Sequence, residues 1–163
     1  MAKKKLKDRI PIRGGFYYYN KLYLSVAYQS LSIGARNLLH MLLSELHFKW
    51  NKKKKKKIYT TNGEISFTET DFKELFGSCV QTYLNARNSL IRVGLIRQTY
   101  RGGMCRGDRA TYKVLCLYDG LLDSEMRWLQ YPEKNWESEI PKPRRQMIGL
   151  STQFKKGKGG LKC

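Results

Sequence analysis

Apolar residues recur at three- and four-residue spacing through Ala35, Leu38, Leu39, Leu42, Leu43 and Leu46. That rhythm predicts a helix with one stripe turned to a core, and Ser32 just before it supplies an N-cap hydroxyl. Upstream, Phe16-Tyr17-Tyr18-Tyr19 through Leu24 reads as an extended segment, with a turn at Ser25-Val26-Ala27-Tyr28. Tyr17, Tyr18, Tyr19, Tyr23 and Tyr28 could stack on unpaired bases. An aromatic strand more often covers a core, so packing is the favoured role.

From residue 63 the punctuation becomes specific. Gly63-Glu64-Ile65-Ser66-Phe67 alternates as a short strand should. Thr68-Glu69-Thr70-Asp71 has the spacing of a capping box, opening a helix that stops at Gly77. Ser78-Cys79-Val80-Gln81 predicts a second box and a helix over about 79–93, stopped by Gly94. Two helices across a tight glycine turn are a helix-turn-helix. Leu95–Tyr100 and Ala110–Leu115 read as strands around a Gly- and Arg-rich tip at 101–109. The order helix, strand, helix, helix, strand, strand predicts an α+β fold of winged helix-turn-helix type. Its parts are a three-helix core, a short β-sheet and a wing hairpin.

Three stretches follow: a basic flexible arm at 1–15, a folded domain at 16–117, and a C-terminal extension at 118–163. The extension has one helical stretch at Leu121–Tyr131. From Pro141 it becomes rich in Pro, Gly and Lys, with seven Lys/Arg and no acid, and is expected to have no core of its own.

Charge then narrows the function. Thirty-two Lys and Arg against thirteen Asp and Glu leave a net charge of +19 on 163 residues. Such an excess repels itself in a folded domain unless a polyanion offsets it. The partner expected is nucleic acid, double-stranded DNA first. No apolar run approaches a membrane span, and Met1–Arg9 lacks the apolar stretch of a secretory signal, so no membrane role and a cytoplasmic location are expected. Cys79, Cys105, Cys116 and Cys163 include no C-x-x-C pair, and His40 and His47 stand seven apart. No metal site and no cofactor follow from that spacing.

The candidate contact residues lie in three places. On a helical wheel Val80, Tyr83, Ala86, Leu90, Ile91 and Gly94 fall to one side of the 79–93 helix. Ser78, Gln81, Asn85, Asn88, Ser89 and Arg92 fall to the other, with Thr82 beside them, and no acid interrupts that stripe. Gln and Asn can bond an adenine edge twice, and Arg a guanine edge. Arg101, Arg106 and Arg109 decorate the wing, where Arg suits phosphate or the minor groove. Gly102, Gly103 and Gly107 allow close approach there, and Asp108 could hold Arg106 or Arg109. The run Lys52–Lys57 predicts a solvated mobile loop, with Lys54 and Lys55 at its centre as phosphate contacts. Arg87 projects toward the packed border, where a phosphate or an acid such as Glu74 could meet it.

Ser25-x-Ala27-Tyr28-x-x-Leu31-Ser32 followed by Ala35-Arg36-x-Leu38-Leu39 resembles the opening of winged helix-turn-helix proteins of bacterial phages, plasmids and other mobile elements. The likeness continues through Gly63-x-Ile65, Thr82-x-x-x-Ala86-x-x-x-Leu90-Ile91-x-x-Gly94-Leu95-Ile96 and Arg109-Ala110-x-Tyr112. In outline it is also similar to the winged-helix modules of plasmid replication initiators. The resemblance spans about 16–117 and implies DNA binding in transcription or replication. The lysine run and the basic tail depart from the plainer pattern.

Two other classes compete. A packaging protein would coat nucleic acid, or bind RNA, without reading it, and would tolerate alanines at Gln81, Asn85, Asn88 and Arg92. An enzyme would need a phosphate loop, a Tyr beside a His cluster or paired acids, and the sequence offers none of these, so no catalysis is expected. A homodimer on a two-fold site is compatible with the DNA-binding expectation.

Overall fold

The computed structural model describes residues 20–53, 56–103, 107–117 and 126–142. The arm at 1–15, the aromatics at 16–19, Lys54, Lys55, Cys105, Arg106, the first part of the extension and the tail beyond 142 lie outside them. The described residues form an α+β fold of five α-helices and two separate antiparallel two-stranded sheets. Among the described residues no helix is long and apolar enough to cross a membrane.

Helices α1 (Asn20–Tyr23) and α2 (Val26–Gln29) occupy the stretch expected to be extended and then a turn. The physical reason is local. The Ser25 side chain accepts from the Tyr28 amide at 3.1 Å and caps α2. Leu22, Ala27 and Tyr28 turn inward while Tyr23 and Leu24 stay exposed, which is not the two-residue alternation of a strand. Tyr28 therefore packs in the core as expected, and the exposed Tyr23 ring leans on it at 5.6 Å. Helix α3 (Ile33–Ser44) starts at Ser32, whose side chain accepts from the Ala35 amide, and buries Ala35, Leu38, Leu39, Leu42 and Leu43 of the predicted stripe together with Met41, while Leu46 is buried just past its end.

The lysine run is not one loop. Strand β1 (Phe48–Asn51) pairs with β2 (Lys56–Tyr59), so the last two lysines of the run lie in a strand. Pairing of the flanking segments overrides the mutual repulsion that suggested an unstructured run. Residues 63–67, expected as a strand, contribute only a single bridge, Ile65 to Tyr112. Ile65 and Phe67 nevertheless face the core on either side of the half-buried Ser66.

Helix α4 (Glu69–Phe76) has the full capping box. The Thr68 hydroxyl accepts from the Asp71 amide, the Asp71 carboxylate accepts from the Thr68 amide, and Gly77 ends the helix. Helix α5 (Val80–Arg92) begins differently from expectation. Its N-cap is Cys79 with no side-chain cap bond, and Ser78 instead bonds back to the Phe76 carbonyl. Val80 is exposed rather than packed, whereas Tyr83, Ala86, Leu90 and Ile91 are buried as expected. Strands β3 (Ile96–Tyr100) and β4 (Thr111–Val114) pair with a shift in register between Gln98 and Tyr100.

The extension joins the core. The helical stretch expected at 121–131 is, over its described part, a 3-10 helix at Arg127–Gln130, and a second short 3-10 helix follows at Glu137–Glu139. Trp128 is fully buried in the same cluster as α3 and α5, and Trp136 is buried against Gly94 and Arg127. Gly94 explains how the extension fits so closely. A Cβ there would lie 2.7 Å from the Arg127 Cβ and 3.0 Å from the Trp136 ring, and its φ of +76° is itself unfavourable for other residues.

Candidate nucleic-acid interface

Helix α5 is held from beneath. The Tyr83 hydroxyl donates to the Phe67 carbonyl at 2.8 Å and lies 3.3 Å from the Tyr112 hydroxyl. Burial first, and then the neighbouring Tyr112, push its phenol well above the usual range, so it stays protonated and keeps donating. These bonds tie α5 to the segment before α4 and to β4, which sets the outer face of α5 relative to the β3–β4 ribbon.

On that outer face Gln81, Thr82 and Asn85 are exposed, while Asn88, Ser89 and Arg92 are half-buried. The Gln81 amide donates to Asn85 Oδ1 at 2.8 Å, so these two side chains act as one unit. Arg87 bonds neither a distant acid nor Glu74 among the described residues. Its guanidinium makes two bonds to Asn88 Oδ1, at 2.9 and 3.1 Å, and so fixes the Asn88 amide. Thr82 is 3.2 Å from the Cys79 thiol, and that bond lowers the Cys79 pKa from its ordinary value. Ser78 lies at the start of the helix but is occupied with the Phe76 carbonyl.

The β3–β4 connection lies across a cleft of about 1120 Å³ from α5. Asn88, Arg92, Arg101 and Arg109 all line it, as do Gln98 and Arg87. Gly102 is required at the near end of the connection: a Cβ there would sit 2.4 Å from the Ala110 amide nitrogen and 2.6 Å from the Arg109 carbonyl carbon. Acids line the cleft too, but three of the four are engaged. Asp71 belongs to the capping box, Asp108 accepts from the Tyr100 hydroxyl at 2.8 Å, and Glu137 pairs with Arg92. Glu69 is the fourth, on the first turn of α4.

Arg92 differs from the other expected contacts. It pairs with Glu137 of the extension at 3.1 Å, and its carbonyl accepts from the Trp136 amide. Arg101 donates to the Lys142 carbonyl, so the extension borders the far end of the cleft. Gln81, Asn88, Arg101 and Arg109 thus line one cleft, with Asn85 joined to it through Gln81, whereas Thr82 is not part of its lining and sits beside the Cys79 thiol. Gln98 and Lys142 join them without any sequence signal. Arg106, Lys54 and Lys55 lie outside the described residues. Among the described residues no group of three His, Cys, Asp or Glu could hold a metal, and of the described thiols Cys79 is exposed and Cys116 buried.

Set against protein-family models, curated proteins and solved structures, the chain matches none of them.

Proposed function

We propose that this chain is a winged-helix protein that binds double-stranded DNA, acting in the cytoplasm as a transcription or replication regulator of a phage or other mobile element. Helix α5 enters the major groove as the recognition helix, and the turn between β3 and β4 is the wing, meeting phosphate or the minor groove. The observation that supports this most is that α5, a helix with no acid in it, sets Gln81, Asn88 and Arg92 across a cleft from Arg101 and Arg109, with Asn85 bonded to Gln81. The Gln81–Asn85 bond leaves Gln81 Oε1 as an acceptor and Asn85 Nδ2 as a donor. Those are the two functions needed to bond the N6–N7 edge of adenine. The +19 charge supplies the long-range attraction to a polyanion.

The test is selection of bound fragments from random duplex DNA, followed by affinity measurements on the selected site and a scrambled one. Asn85→Ala should cost ~1–3 kcal/mol on the selected site and little on the scrambled one. If the variant stays folded and both proteins bind the two duplexes alike, α5 reads no bases, and the chain is a nucleic-acid coat.

A further inference from the structure

The chain has three tryptophans, and their fates differ. Trp128 and Trp136 are 0% and 7% exposed, as a large apolar ring should be in a folded domain, whereas Trp50 is 56% exposed on β1. Its surroundings are just as uneven. Lys49, Lys52 and Lys53 beside it are exposed, and its register partner on β2 is Lys57. No acid occurs between Glu45 and Glu64. The register also puts positions 48, 50, 57 and 59 on one side of the ribbon. An aromatic ring framed by cations suits a strand of phosphates carrying unpaired bases, since every base has a face to stack and every linkage a charge.

The root of this hairpin is separate from the cleft. Thr60 donates to the His47 carbonyl and Thr61 accepts from the His47 amide, closing the hairpin on itself. Asn62 then bonds both the amide and the carbonyl of Val114. Val114 pairs with Ile96, the first residue of β3, so the hairpin is rooted at the end of the β3–β4 ribbon opposite its 101–109 turn. A strand held at β1–β2 therefore does not compete for the surface assigned above to duplex.

We propose that the β1–β2 hairpin is a second nucleic-acid site, specific for unpaired DNA, in which Trp50 stacks on a base while Lys52 and Lys53, in the turn that follows it, hold the flanking phosphates. It rests on the proposed function only in sharing a class of partner. A protein with both sites would favour duplex that borders an open strand. An anionic membrane is the poorer fit, because interfacial anchors present a broad apolar face and this hairpin offers one exposed ring amid lysines.

Trp50 is its own probe, since the other two tryptophans are buried. Full-length protein is titrated with oligothymidylate while tryptophan emission and acrylamide quenching are followed, in parallel with a blunt duplex. Oligothymidylate should quench the emission and shield the exposed ring from acrylamide. Trp50→Ala should weaken oligothymidylate binding about tenfold and leave duplex binding unchanged, Trp50→Phe should recover most of the loss, and Asn85→Ala should leave oligothymidylate binding intact. Unaltered emission, equal oligothymidylate affinity for wild type and Trp50→Ala, or an equal loss on duplex would overturn the proposal. So would a blue shift on anionic phospholipid vesicles with no response to oligothymidylate. Loss of site preference in Asn85→Ala bears only on α5, so the two sites fail separately.

Discussion

The two hairpins share a form and differ in what holds them. Each is an antiparallel pair of short strands with a basic connection. Behind β3–β4 lie Ile96, Tyr112 and Val114, all buried, and the ribbon is fastened along its length. Asn62 grips Val114, the Tyr112 amide donates to the Ile65 carbonyl at 2.9 Å, and the Thr99 hydroxyl donates to the Gly63 carbonyl at 2.5 Å. On β1–β2, by contrast, Lys49 and Trp50 face solvent, and the bonds at its base join its own two ends. A lone two-stranded hairpin is marginal in water, so the first ribbon is a fixed part of the domain and the second is carried by it. A basic connection is therefore no guide to rigidity. What fastens the strands to the rest of the domain decides it.

The largest effect that would break this contrast comes from the same substitution on each ribbon. Tyr112→Ala removes a fully buried ring and one side of the Tyr83 contact, and should cost about 3–5 kcal/mol in urea unfolding. Trp50→Ala removes a ring of similar size from the exposed ribbon and should change stability by no more than about 0.5 kcal/mol. Comparable losses would mean that β1–β2 is also built into the core. Should Tyr112→Ala fail to fold, Tyr112→Phe tests the same fastening, with a loss of ~1 kcal/mol.

A smaller effect sharpens the contrast inside the fixed ribbon. Gly102 is buried at φ +67°, and a Cβ would strike the backbone of Arg109 and Ala110. Gly102→Ala should cost about 1–3 kcal/mol through strain at that turn. It should weaken duplex binding by displacing Arg101 and Arg109, and leave oligothymidylate binding at β1–β2 unchanged. Thermal unfolding and the two titrations read this together. Unaltered duplex affinity would separate the 101–109 turn from the interface.

These ribbons also mark where the sequence was informative. The α3 stripe, the Thr68–Asp71 box and the glycine stops at Gly77 and Gly94 are local signals, carried by a few neighbouring residues whose chemistry has one common use. The β3 and β4 strands were legible for the same reason. β1–β2 was not, because six consecutive lysines look like a loop unless Phe48 and Trp50 are already known to pair across them. α1 and α2 were hidden by tyrosines that suit a strand, although Ser25 was a cap in plain view. Nothing local signals the docking of Trp128 and Trp136, or the pairing of Arg92 with Glu137, 45 residues away. The outer face of α5 was legible as a stripe, but its internal bonds, Gln81 to Asn85 and Arg87 to Asn88, needed three dimensions.

The smallest effect uses the two described thiols to ask whether the fixed ribbon opens on its own. Cys116 follows β4 and is buried, and burial pushes its thiol up to about 12 from an ordinary value of 9.0. A thiol whose pKa is higher folded than unfolded favours the folded state below about pH 9, and that contribution is lost as pH rises toward 12. The protein should therefore lose stability over this alkaline window, and Cys116→Ala should flatten the loss. Cys79 is exposed, its pKa lowered by Thr82, and should react with a disulfide reagent in the native protein. In a Cys105→Ser, Cys163→Ser background, one thiol should label at once and the second only as fast as the domain unfolds. Its labelling rate should rise with urea along the global unfolding curve. If Cys116 labels early, without urea dependence, the end of β4 frays by itself, and the distinction between a fixed ribbon and a carried one is lost.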